Sequence, residues 1–154
     1  MDPSMNAGLG IAGAVIALAL SAAGSALGTG AAGSAAVGAW KKCYAQGKQA
    51  PFLLLSYVGA PLTQTLYGMI VMNGIIKRAN AGAPWIALCL IGTFAGLGIG
   101  LSAVMQGRTA AAAADAQGET GLGFTNFLAA IGIIETVAIF TMIFAMIAAG
   151  KVVA

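Results

Sequence analysis

Charged side chains are so widely spaced along this chain that the intervals between them outline its elements. Between Asp2 and Lys41 lie 38 uncharged residues, between Lys48 and Lys77 another 28, and between Arg78 and Arg108 another 29. From Glu119 to Lys151 there are 31, broken only by Glu135. Each run exceeds the roughly 20 apolar residues that carry a helix across a bilayer. The pattern predicts four membrane-spanning helices, at 7–39, 51–76, 83–114 and 124–149. Strand-like alternation is absent, and Gly and Ala this dense in long runs fit packed helices rather than a β-barrel. The expected connections, 40–50, 77–84 and 115–123, are short and polar, with Pro51 opening the second span and Asp115 and Glu119 in the third connection. They leave no room for an extramembrane domain. The first span is expected to be retained, since no basic leader precedes it and it is too long for the apolar region of a signal peptide.

The composition supports the membrane reading. Apolar residues make up 60% of the chain and charged ones 7%, against about 25% charged in a soluble domain. Disorder, which needs low hydrophobicity and high charge, is excluded by the same figures. The net charge of +3 is dispersed over several places, so no nucleic-acid partner is expected. There is no histidine, which excludes a His-based metal site, triad or proton relay, and Cys43 and Cys89 make neither a metal site nor a disulfide framework. Basic residues divide too evenly to orient the chain, with Lys41, Lys42, Lys48 and Arg108 on one side and Lys77, Arg78 and Lys151 on the other.

Side-chain size alternates from span to span. Spans one and three are built of small residues. Gly24 and Gly28 stand in one four-residue row with Ala32 and Ala36, and Gly92, Gly96 and Gly100 form another. Such rows let helix backbones approach closely where lipid offers no hydrophobic drive. Spans two and four carry the bulk, including Phe52, Leu54, Leu66, Phe127, Phe140 and Phe144, and Leu54 is expected to face lipid. The order small, large, small, large describes two similar hairpins, 1–76 and 77–154. Residues 25–30 align with 102–107 at an offset of 77, and Gln64-Thr65 with Glu135-Thr136 at an offset of 71. The sparse identities suggest a duplication in which Gln64 is the first hairpin's counterpart of Glu135.

Glu135 lies about twelve residues into its span, near the bilayer midplane. A charge there costs at least about 2.5–3.5 kcal/mol on insertion scales, so a partner or a function is expected. No Lys or Arg is expected at matching depth, which leaves a proton or a bound cation as counter-charge. Thr63, Gln64 and Gln106 lie at comparable depth, Tyr67 shares a helix face with Thr63, and Pro61 frees a backbone carbonyl nearby. Carboxylate, amide, hydroxyl and carbonyl oxygens are hard ligands, suited to a hard cation and not to zinc or copper. Taken singly, Thr63 or Gln64 could be no more than helix–helix glue.

Residues 61–68 (Pro-Leu-Thr-Gln-Thr-Leu-Tyr-Gly), Gln106-Gly107 and Ile134-Glu135-Thr136 resemble, in order, depth and spacing, the rotor-ring proteolipid of V-type ATPases. The resemblance covers essentially the whole chain. It implies a homo-oligomeric ring with spans one and three inside and two and four outside. Glu135 would be the ion-binding carboxylate, Thr63, Gln64 and Gln106 sodium ligands, the Ala60 backbone carbonyl a further ligand, and Tyr67 the group bonded to the carboxylate. It also implies a stator membrane subunit that supplies an arginine, central-stalk subunits, and a bacterial or archaeal cell membrane. Proton-pumping relatives generally lack the Thr-Gln pair, which points to Na+ over H+ as the transported ion. The chain has no Gly-x4-Gly-Lys-Ser/Thr run, so it is expected to move ions and not to hydrolyse ATP. The rivals are a small four-helix cation or drug antiporter and a purely structural four-span protein. Those antiporters carry their membrane carboxylate in span one, which here has none.

Overall fold

The computed structural model describes residues 2–153, which are helical almost throughout. Helix α1 spans Pro3–Ala45, α4 Trp85–Thr120 and α5 Phe124–Lys151. Between α1 and α4, a 3₁₀ turn at Phe52–Leu54 leads into α2 (Leu55–Gly59), a second 3₁₀ turn at Ala60–Leu62, and α3 (Thr63–Asn80). Three helices, α1, α4 and α5, are long and apolar enough to cross a membrane, consistent with an integral membrane protein.

The second expected span is therefore not one helix. Pro61 has no N–H to give to the carbonyl four residues back, and the chain tightens there into a 3₁₀ turn. The turn does not break the rod, because Ala60 (φ −55°, ψ −47°), Leu62 (−78°, −28°) and Thr63 (−59°, −30°) all stay right-handed. Residues 52–80 thus form one interrupted helical run.

The connections are also shorter than expected, because hydrogen-bonded helix continues past the apolar stretch. At about 1.5 Å per residue, α1 and α4 are about 64 and 54 Å long, well beyond a hydrocarbon core of about 30 Å. Asp115 and Glu119, expected in a connection, are instead in the last turns of α4, where both accept from Lys42 at 2.9 Å. Lys77 and Arg78 close α3. Gly121 ends α4 at φ 70°, a left-handed conformation that costs glycine little and other residues more.

Helices α1 and α4 run parallel. Asn6 at the start of α1 donates to the Ala83 carbonyl just before α4, and Lys42 near the end of α1 reaches Asp115 and Glu119. Their backbones meet along glycines. A Cβ on Gly96 would lie 2.8 Å from the Ala17 carbonyl oxygen, Gly92 faces Gly13, Gly24 faces Gly100, and Gly28 faces Gly107. These partners thus lie 76 to 79 residues apart in sequence, which brackets the offset of 77 between the two hairpins. The 52–80 run packs on α1, and α5 packs on α4 and α3. Leu54, expected to face lipid, is fully buried among Tyr57, Ala110 and Ile131.

The apolar core falls into two clusters. One gathers Ala17, Val71, Ile75, Leu88, Ile99 and Ala138, the other Ala36, Leu54, Tyr57, Ala110, Ala113 and Ile131. Between them in the sequence of each helix lie the buried polar residues Ser25, Gln64, Ser102 and Gln106. The outer surface is apolar, with Leu27, Phe94, Leu101, Ile133, Phe140 and Phe144 exposed. Apolar area on that scale needs lipid or protein against it.

Candidate functional site

The polar layer between the clusters converges on Glu135. This residue sits in the fourth turn of α5, half-buried, with its carboxylate turned toward α3 and α4. Thr63 and Tyr67 are one turn apart at the start of α3, so both hydroxyls reach the same carboxylate oxygen. Thr63 Oγ1 and Tyr67 Oη each donate to Glu135 Oε1 at 2.7 Å. Gln106 of α4 donates from Nε2 to Glu135 Oε2 at 3.3 Å and to the Ile131 carbonyl at 3.2 Å. Gln64, fully buried, donates to Gln106 Oε1 at 2.6 Å. The carboxylate therefore accepts three hydrogen bonds, all from neutral donors.

Thr63 Oγ1 is also 3.1 Å from the Ala60 carbonyl oxygen and 3.3 Å from Gln64 Oε1. Ala60 lies in the 3₁₀ turn that Pro61 imposes, and its carbonyl accepts the Thr63 N–H in that turn. Four oxygens, from Ala60, Thr63, Gln64 and Glu135, thus meet around one hydroxyl proton. A hydroxyl carries one donor and two acceptor lone pairs, so it cannot donate to all three neighbours at once. A small cation is what such an oxygen-rich corner can hold.

Positive charge does not come from the protein. Among the described residues the ion pairs are those of Lys42, and none involves Glu135. Arg108 is only two residues beyond Gln106 but leaves the opposite face of α4, exposed beside Met105. No cluster of three or more His, Cys, Asp or Glu occurs among the described residues, so the acidic contribution to this site is one carboxylate.

Thr63, Gln64, Tyr67, Gln106 and the Ala60 carbonyl are all brought together around Glu135. Thr136, the counterpart of Thr65 in the repeat, is exposed and donates to the Ile133 carbonyl of its own helix. Sequence reasoning missed Ser102. Its buried hydroxyl donates at 2.9 Å to the Ile134 carbonyl, next to Glu135, and with Gln106 it makes two successive rungs from α4 onto the α5 backbone. A Ser four residues before Gln106 on the same helix face was the available signal. No protein-family model matches the chain, and no curated protein sequence matches it significantly.

Proposed function

We propose that this protein is a rotor-ring subunit of a V-type rotary ATPase, carrying one sodium ion per subunit on Glu135. The single observation that carries this reading is the corner of four oxygens, the Thr63 hydroxyl and the three around it, closed by a lone carboxylate. One carboxylate among neutral oxygens balances one positive charge, whereas a divalent ion would leave a net charge buried in apolar surroundings. Carbonyl, hydroxyl, amide and carboxylate oxygens are hard donors, as an alkali cation requires. For Gln106 to ligate the same ion through Oε1, its amide would turn over from the orientation that bonds Glu135 Oε2.

In this reading the interrupted 52–80 run is the fourth membrane crossing, and the exposed apolar faces are covered by lipid and by neighbouring copies in a ring. The loaded site is neutral and can pass along lipid. An arginine on a stator membrane subunit would displace the ion, and central-stalk subunits would couple the ring to ATP hydrolysis elsewhere. The chain itself is not catalytic.

A proton-carrying ring is the second reading. It is favoured by the Gln106 amide nitrogen, rather than its oxygen, facing the carboxylate. Carbodiimide labelling separates the two. Carbodiimides attack protonated carboxyls in apolar surroundings, so Glu135 is the expected target and Glu135→Gln is expected to abolish membrane labelling. Sodium binds the deprotonated form, so sodium should slow labelling, and more strongly as pH rises. Potassium should protect poorly. A proton carrier gives pH-dependent labelling that is indifferent to sodium.

A further inference from the structure

At the end of the molecule away from Lys42, α3 and α5 finish side by side and leave a cleft of about 280 Å³ lined by Gly74, Lys77, Arg78, Met146, Ala149 and Gly150. Cations at helix C-termini are ordinary complements of the helix dipole. Two features go beyond that. Arg78 crosses from α3 to α5, donating to the Gly150 carbonyl at 2.5 Å, which holds the guanidinium at the cleft while most of its five N–H donors stay uncommitted. Gly150 presents no side chain to the space between the two helices, and Met146 lies over Gly74 as its apolar floor.

The charge at the cleft is unbalanced. Lys77 is exposed and has no hydrogen-bonded partner among the described residues, and Lys151 is the next residue after Gly150. Among the described residues no acidic side chain lines the cleft. At the opposite end, by contrast, Lys42 is neutralised by two acids. Below the cations the lining is apolar, made by Met146 and Ala149 on a helix long enough to cross the membrane. Cationic above and apolar below, at a helix end, is the profile of a phospholipid at its headgroup.

We propose that this cleft binds an anionic phospholipid, with Lys77 and Arg78 on the phosphate and Met146 and Ala149 against the glycerol and upper acyl chain. The site is separate from Glu135 and does not depend on the function proposed above.

The test is native mass spectrometry of the full-length protein in mild detergent, titrated with phosphatidylglycerol and, separately, with phosphatidylcholine. Phosphatidylglycerol is expected to bind more tightly. Lys77→Gln should weaken it about fivefold, the loss expected for one cation near an anionic headgroup, and Lys77→Gln with Arg78→Gln should weaken it further. Lys48→Gln, the same charge loss at the other end, should change nothing. Equal binding of the two lipids, or unchanged binding in the double variant, would overturn the proposal. So would full displacement by millimolar inorganic phosphate, which would mean an anion site without a lipid. Should loss of Arg78 unfold α5, Lys77→Gln alone decides the matter, with Lys77→Arg expected to restore binding.

Discussion

At the scale of single residues, the hydroxyl of Thr63 is the vertex of the site. It contacts the carboxylate, the Gln64 amide oxygen and the Ala60 carbonyl within 3.3 Å. Thr63→Val keeps the shape and removes the vertex. Hydrogen bonds to charged groups are worth about 1.5–3 kcal/mol, so sodium protection of Glu135 against carbodiimide is expected to weaken at least tenfold. Gln64→Leu should weaken protection more than Gln106→Leu, since Gln64 Oε1 belongs to the oxygen corner whereas Gln106 turns its amide nitrogen to the carboxylate. Both variants should still be labelled without sodium, because the carboxyl alone can hold a proton. Labelling rates with and without sodium read out all three. Equal protection in Thr63→Val and the parent would remove the hydroxyl from the site.

At the scale of elements, two devices set the geometry. The first is the glycine contact between α1 and α4. A Cβ at Gly24, Gly28 or Gly96 already meets backbone of the other helix, so Gly28→Leu or Gly96→Leu forces the pair apart. Overpacking of this kind costs about 1–3 kcal/mol or more, and loss of assembly on size-exclusion chromatography is expected. Leu66→Phe, on an exposed face, should assemble normally. The second device is the 3₁₀ turn at Pro61. Pro61→Ala restores an N–H to the Tyr57 carbonyl and lets the α-helix run through. Circular dichroism should show helix content kept or slightly raised. Sodium protection should fall several-fold, because the Ala60 carbonyl and Thr63 lose the turn that brings them together.

For the whole molecule, the question is what covers the apolar exterior. In the ring reading a neighbouring copy and lipid share it. A detergent-stable particle of many copies is then expected by light scattering or analytical ultracentrifugation. A dimer would favour the antiporter instead. Gly28→Leu should shift the particle toward smaller species, whereas Glu135→Gln should leave its size unchanged, since that side chain bonds within one chain.

The apolar runs, the lone membrane carboxylate and the polar residues at its depth were legible in the sequence. They follow from the cost of charge in hydrocarbon, which acts on each residue regardless of its neighbours. The Gly and Ala rows were legible for a different reason, as residues without bulk mark where backbones approach. Folding alone decided which side chains meet. Leu54 reads as lipid-facing from its type, yet the rotation of the 52–80 run buries it. Asp115 and Glu119 read as loop residues from their charge, yet helical hydrogen bonding continues past the apolar stretch and carries them on α4 to Lys42. The Pro61 residue was visible, but the continuity of the run across it depends on dihedral angles. Ser102 was hidden because its partner is a carbonyl, and every residue has one; only the packing of α4 on α5 picks out that of Ile134.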